Sequence, residues 1–302
     1  MPDHLADFVA DMQSRNFSPE TIRSYRWILR SFADFMQARS VLLENASRPD
    51  LKAYLDSLNA GKISHKTASL RFAALSSFYD YLVFEEVMDL NPVRPVMKRY
   101  LQAYKTPQGH THQLITVEQA AALLHEMVDI RDKALLIVLL KTGVRRGELL
   151  SMEVDDIDWQ NESITLKPKA KRSNRVVFFD DEAAGYLRRW LKVRSNRAKE
   201  EDRQLWLGGK GPLKRGGVDC ALIGAASRLG LHNTVSSRME DHFSAHCCRH
   251  WFTTMLDRSG MKRQHIQFLR GDVDGQAIGL YIHNDLEEIR KEYLRCIPKL
   301  GI

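Results

Sequence analysis

Hydrophobic positions recur at helical spacing through most of the chain. Ile22, Tyr25, Ile28, Leu29, Phe32, Phe35 and Met36 succeed one another mostly three or four residues apart, which is the stripe of an amphipathic helix. Ser18-Pro19-Glu20 marks its start: a capping hydroxyl, then proline at the first helical position, then an acid. A second long helix begins near Ser64, carries Leu70, Ala74, Leu75, Phe78, Tyr79 and Leu82, and stops before Asn91-Pro92. A shorter helix over 51–58 lies between them. The pattern predicts a small all-helical unit in the N-terminal third.

The periodicity fades between Val96 and Leu114, where Pro107, Gly109 and basic residues gather, so this stretch reads as a linker. Thr116 and Gln119 then have the spacing of a capping box and open a second domain. The expected division is 1–97, a linker 98–114, and 115–302. In the second domain the apolar run 134–140 reads as part of a buried helix over 131–141. Residues 163–166 and 175–179, rich in Ile, Thr, Val and Phe, read as short strands. Helices are expected at 182–194, 218–229, 245–256, 265–269, 276–283 and 287–295. Ile289, Tyr293 and Leu294 form an apolar stripe that would dock either on a neighbouring copy or on its own domain. The fold class is mainly α with a small antiparallel β-sheet.

Composition narrows the partners. The chain has 302 residues, a formal net charge of +7, 44% hydrophobic and 27% charged residues, and a pI near 9.2. That is ordinary for a globular protein and excludes a disordered or collagen-like chain. The basic balance favours a polyanionic partner without naming one. No apolar run approaches the ~18 residues that cross a membrane. The four cysteines are too few and too irregularly spaced for a disulfide framework. The expected compartment is the cytoplasm.

Several residue groups suit phosphate chemistry. In Lys141-Thr-Gly-Val-Arg-Arg-Gly-Glu-Leu149 a buried helix breaks at Gly143 and a new one begins near Arg146. Arg145 therefore sits at a tight turn beside a helix N-terminus, where amides and a guanidinium fork favour an anion. A solvated arginine pair capping a turn is the plain alternative. His246 and Arg249 are three apart and share a helix face. An imidazole beside a fixed cation suits proton transfer near phosphate, although a packed structural histidine is the commoner arrangement. A metal site at His242, His246 and His250 is disfavoured, because adjacent Cys247 and Cys248 cannot both face that stripe.

The basic turn Lys167, Lys169, Lys171, Arg172 joins the two expected strands. It is either a solvated hairpin tip or a DNA contact carrying a mobile lysine acid. The glycine-rich stretch 208–217, with Lys210, Lys214 and Arg215, lacks the spacing of a phosphate-binding loop. It reads as a flexible contact to a DNA backbone at most. Tyr281 follows a second glycine-containing loop.

Taken in order, these elements resemble the tyrosine recombinase (phage integrase) family, including its Xer-type and archaeal members. The stretch 142–149 is similar to that family's first arginine box, and His246-Cys-Cys-Arg249-His250 to its HxxRH box. The basic hairpin lies where the family keeps a lysine, and Tyr281 has the spacing of the nucleophile. The resemblance implies a SAM-like core-binding domain over 1–97 and a catalytic domain over 115–302. It implies that Tyr281 attacks a DNA phosphate to give a 3′-phosphotyrosyl link. Arg145 and Arg249 would clamp the non-bridging oxygens. Lys169, or alternatively Lys171, would protonate the 5′-oxygen, His246 would assist proton transfer, and Glu148 would orient the site.

The same resemblance implies double-stranded DNA as partner, self-association into dimers and tetramers on it, and no metal, cofactor or ATP. One departure stands out. Asp272 lies nine residues before Tyr281, where the family usually has His or Trp. An ionised Asp repels a phosphate, so Asp272 either pairs with a base such as Arg270, or is protonated, or the site is slower. A catalytically impaired DNA-binding protein of this fold and a type IB topoisomerase-like nicking enzyme are the alternatives.

Overall fold

Helix starts follow the capping residues. The computed structural model describes residues 4–102, 113–167, 176–236, 238–271 and 286–302, and its contacts divide the chain into Met1–Gln108 and Gly109–Ile302. The first unit contains α1 (His4–Ser14), α2 (Pro19–Gln37), α3 (Arg48–Ala60), α4 (His65–Phe84) and α5 (Val93–Val96). Ser18 Oγ accepts the Thr21 N–H at 3.1 Å, and Ser64 Oγ accepts the Thr67 N–H at 3.2 Å. α3 is longer than the apolar spacing predicts, because Asp50 accepts the Ser47 N–H at 3.1 Å and proline occupies the first turn.

The first core is aromatic. Phe8 meets Phe78 edge-on at 5.5 Å, and Phe32 meets Tyr79 at 6.4 Å. The Arg71 guanidinium lies 4.7 Å from the Trp27 ring. Contacts 27–71 and 32–79 advance together along α2 and α4, so these two helices run in the same direction. α5 continues into a π-turn at Met97–Leu101, whose Met97 and Leu101 pack on this core. The front of the stretch read as linker is therefore helical, anchored by two apolar side chains too few to show periodicity.

The second unit contains α6 (Val117–Glu126), α7 (Ile130–Thr142), α8 (Arg146–Leu150), β1 (Ile157–Asp158), β2 (Ser163–Thr165), β3 (Val176–Phe178) and α9 (Asp181–Ser195). It continues with β4 (Leu207–Gly208), β5 (Gly211–Pro212), α10 (Arg215–Arg228), α11 (Ala245–Arg258), α12 (Arg263–Arg270) and α13 (Leu286–Cys296). α7 is its spine, buried at every position from Ala134 to Thr142, with α9, α10 and α11 packed around it. Thr116 and Gln119 cap α6 reciprocally, at 3.1 and 2.9 Å. Strands β1, β2 and β3 pair antiparallel in that order, with Ile164 opposite both Ile157 and Val177.

Three points are added or decided. β1 is only two residues long, too short for alternation to reveal it. The glycine-rich stretch is a β4–β5 hairpin leading into α10, which starts at Arg215 despite Gly216 and Gly217 in its first turn. The α13 stripe docks on its own domain: Ile289 and Tyr293 are fully buried in a cluster with Phe178, Phe252 and Leu256. The helix expected at 276–283 lies outside the described residues. No helix among the described residues is long and apolar enough to cross a membrane.

Candidate active site

α7 ends because Gly143 adopts φ 60° and ψ 18°, donating its N–H to Leu139 O at 3.1 Å. Left-handed backbone favours glycine, and the space allows nothing else: a Cβ here would stand 2.3 Å from the Phe252 ring. The chain then turns so that Arg145 caps α8. Arginine has no acceptor for the first amides of α8; what Glu148 supplies is the reverse bond, to the amide of Arg145 itself. Glu148 Oε2 accepts the Arg145 N–H at 2.8 Å, and its Oε1 accepts from Arg145 Nη1 at 3.2 Å. Glu148 is buried, whereas the Arg145 side chain is 39% exposed. The carboxylate fixes the direction of a guanidinium that still reaches solvent.

Arg249 reaches the same turn from α11. It is 4% exposed. Its Nη1 donates to Gly143 O at 2.7 Å, and its Nη2 donates to Arg270 O, at the end of α12, at 2.8 Å. One buried guanidinium therefore joins the arginine turn to the helix that precedes Gly271. His246 lies one helical turn before Arg249, on the exposed side of α11. The adjacent thiols point inward: Cys247 Sγ donates to His242 O at 3.3 Å and Cys248 Sγ to Ser244 O at 3.8 Å. Burial, with Cys247 beside it, pushes the Cys248 thiol well up, which disfavours the thiolate that a metal ligand requires.

Below the turn lies a polar cluster the apolar pattern conceals. Lys141 is wholly buried, and its ammonium donates to Asp180 Oδ2 at 2.7 Å, Glu182 Oε2 at 2.6 Å and Pro298 O at 2.6 Å. Burial works to raise the Glu182 carboxyl. The Lys141 ammonium and the Leu300 and Gly301 amides outweigh it and hold that carboxyl below its usual range. Tyr293 Oη donates to Lys141 O at 2.8 Å. Burial first, then the Asp180 and Glu162 charges, push this phenol well up, so it stays a donor. Only the pairing of Lys141 with residues far along the chain could have signalled this cluster, and a single sequence does not carry that.

The expected DNA contacts are placed unevenly. Lys167 is paired with Glu153 and Asp156, each at 3.0 Å, and these hydrogen bonds raise its pKa. Lys210 is exposed at the β4–β5 turn, Lys214 caps α10 and Arg215 begins it, both exposed. Lys169, Lys171, Arg172, Asp272 and Tyr281 lie outside the described residues. The first unit adds a basic face that went unread. Arg26 and Arg30 on α2 and Lys66 on α4 are exposed, and on the same two helices Arg71 stacks on Trp27, which is 58% exposed. An exposed tryptophan inside a basic face was the available signal.

The phage integrase family matches residues 113–288, and the phage integrase N-terminal SAM-like domain matches residues 5–86. The chain is 26% identical to tyrosine recombinase XerC of Staphylococcus epidermidis over 290 residues, covering 94% of this chain and 93% of the relative. It is 27% identical to tyrosine recombinase XerC of Bacillus subtilis over 307 aligned residues, covering 97% and 95%. Among solved structures, a Tn1549 transposon integrase in complex with a circular intermediate DNA matches with a TM-score of 0.71 at 18% identity, covering 97% of this chain and 98% of that one. A lambda integrase dimer bound to a COC′ core site matches with a TM-score of 0.65 at 16% identity, covering 90% and 94%. Matched over more than half its length by the first of these families, and sharing its fold with these integrases, the chain belongs to the phage integrase family, the tyrosine recombinases.

Proposed function

We propose that the protein is a site-specific recombinase that cleaves and rejoins duplex DNA through a 3′-phosphotyrosyl intermediate, with Tyr281 as nucleophile. The observation that carries this reading is the arginine turn. Arg249 reaches across 106 positions to bind the Gly143 carbonyl, two residues before Arg145, with His246 one turn away on the same helix. Two guanidiniums tied to one turn suit the charge of a five-coordinate phosphorus, which they stabilise without reorganising. Arg145 and Arg249 clamp the non-bridging oxygens, and Glu148 orients Arg145. Lys169, or Lys171, protonates the leaving 5′-oxygen, and His246 assists the proton transfer at the tyrosine. Asp272 takes the position beside the phosphate and acts there protonated or paired with a base.

The division of labour follows the two parts of the chain, with 1–97 gripping DNA, 98–114 linking and 115–302 catalysing. The stacked Arg71 and Trp27 and the exposed Lys210, Lys214 and Arg215 supply DNA contacts, whose affinity falls steeply with salt. Recombination of two duplexes calls for four protomers, and a cytoplasmic location fits its DNA substrate.

The test begins with footprinting on the DNA that flanks its own gene, followed by a nicked suicide duplex of the protected site. A covalent adduct that disappears in Tyr281→Phe, resists chelator and is followed by exchange between two target sites is the expected result. An adduct without exchange points to a nicking enzyme. Specific binding with no adduct at the protected site, in the wild-type chain, refutes the recombinase reading and leaves a DNA-binding protein of this fold.

A further inference from the structure

The cluster under the arginine turn has no part in the chemistry above, yet it is built to high specification. Three acceptors take up the three protons of the Lys141 ammonium, which has no exposure. Charge is costly to bury, and apolar side chains of similar volume pack as well. α7 is otherwise a continuous apolar run from Ala134 to Leu140, so packing alone does not call for a lysine. What the lysine adds is a connection. Glu182, the second acceptor, also accepts the Leu300 and Gly301 amides at 2.9 and 2.8 Å. Lys299 pairs with Asp181 and lies 3.5 Å from Asp180. The segment after α13 is thereby fastened to the C-terminal end of α7.

That end is where the arginine turn begins. Lys141 is gripped twice, at its ammonium by the Pro298 carbonyl and at its own carbonyl by Tyr293. Two residues on, Gly143 O accepts from Arg249, and two further on, Arg145 N donates to Glu148. Any rotation of the last turn of α7 displaces both arginines together.

We propose that Lys141 is a positioning residue for the paired arginines: by fastening residues 298–301 beneath the turn it fixes the backbone from which Arg145 and Arg249 are aimed. The inference rests on the recombinase reading for its catalytic consequence, but not for its structural one.

Two changes separate the fastening from simple stability. Lys141→Met alone strands two carboxylates and can fail to fold. The triple variant Lys141→Met, Asp180→Asn, Glu182→Gln removes the half of the fastening that runs through the ammonium without leaving a buried charge; glutamine still accepts the Leu300 and Gly301 amides, and asparagine still caps α9. A chain ending at Ile297 removes the other half. Amide hydrogen exchange at Val144 and Arg145 is expected to rise at least tenfold in both, with α10 unchanged. On the suicide duplex both are expected to form adduct at least tenfold more slowly while binding it within twofold of wild type. Combining the two changes adds less than twofold. Exchange that stays within twofold of wild type in both variants overturns the proposal, as does adduct rate falling in parallel with DNA affinity, or the two changes multiplying. A wild-type chain that forms no adduct sinks the recombinase reading, and the exchange measurement still decides this one.

Discussion

Replacing Gly143 by alanine probes how closely the arginine turn rests on α11. The position has φ 60°, and left-handed backbone costs an L-residue with a Cβ about 1–2 kcal/mol. The new methyl would lie 2.3 and 2.7 Å from two carbons of the Phe252 ring, inside contact distance by more than an ångström. Phe252 cannot swing out. It is 1% exposed and lies 6.5 Å from the Tyr293 ring. Overpacking of this kind adds about 1–3 kcal/mol, so the total is about 2–5 kcal/mol against a stability of about 5–15. Urea unfolding followed by tryptophan fluorescence reads it, because Trp190, Trp206 and Trp251 are all buried in the second unit. Gly185→Ala is the internal control. It sits within α9 with nothing within 4 Å of the added methyl, and is expected to stabilise by about 0.5–1 kcal/mol. A Gly143→Ala loss below about 0.5 kcal/mol, or equal behaviour of the two variants, refutes both the turn geometry and the Arg249 contact built on it.

Glu148→Gln keeps an acceptor for the Arg145 amide but removes the charge that orients its guanidinium. Adduct formation is expected to slow about tenfold, about 1.4 kcal/mol, while DNA binding is unchanged or tighter, measured by single-turnover kinetics and titration. Glu182 is held below its usual range in the folded chain, so its contribution is present above the unfolded carboxylate value of about 4.3 and is lost as pH falls through the folded value. Acid unfolding of Glu182→Gln is therefore expected to depend less steeply on pH below about 4.5, by circular dichroism. Arg71→Ala is expected to weaken binding to the footprinted duplex and to lower the slope of log affinity against log salt by about 1. An unchanged slope would place that face away from DNA.

The sequence disclosed what repeats or stands alone. Ser18, Ser64 and Thr116 announced helix starts because a capping hydroxyl acts within three residues of itself. Gly143 and Arg145 announced a turn because only glycine takes that backbone cheaply. Both cationic boxes were visible, since each lies within one helical turn. What stayed hidden was long-range or brief. Strand β1 is two residues, the hairpin β4–β5 was obscured by its glycines, and α10 begins through Gly216-Gly217 against their propensity. Lys141 was read as the end of an apolar helix, because its partners Asp180, Glu182 and Pro298 lie 39, 41 and 157 positions away. Lys167 reads as part of a basic turn, hairpin tip or DNA contact, because its carboxylate partners belong to a different loop.

The described bonds of the two arginines differ in kind. Arg249 is almost without exposure and donates to main-chain carbonyls of Gly143 and Arg270. Carbonyl dipoles orient a guanidinium and leave its formal charge intact. Arg145 is 39% exposed, where water screens its field and where a long side chain samples many rotamers. There a carboxylate is the better partner: Glu148 restrains the rotamers, and the charge it offsets is the one that solvent would have screened anyway. Lys141, buried as deeply as Arg249, is satisfied by two carboxylates and a carbonyl. Its charge is balanced within the cluster, so it serves geometry and contributes little field at the turn above.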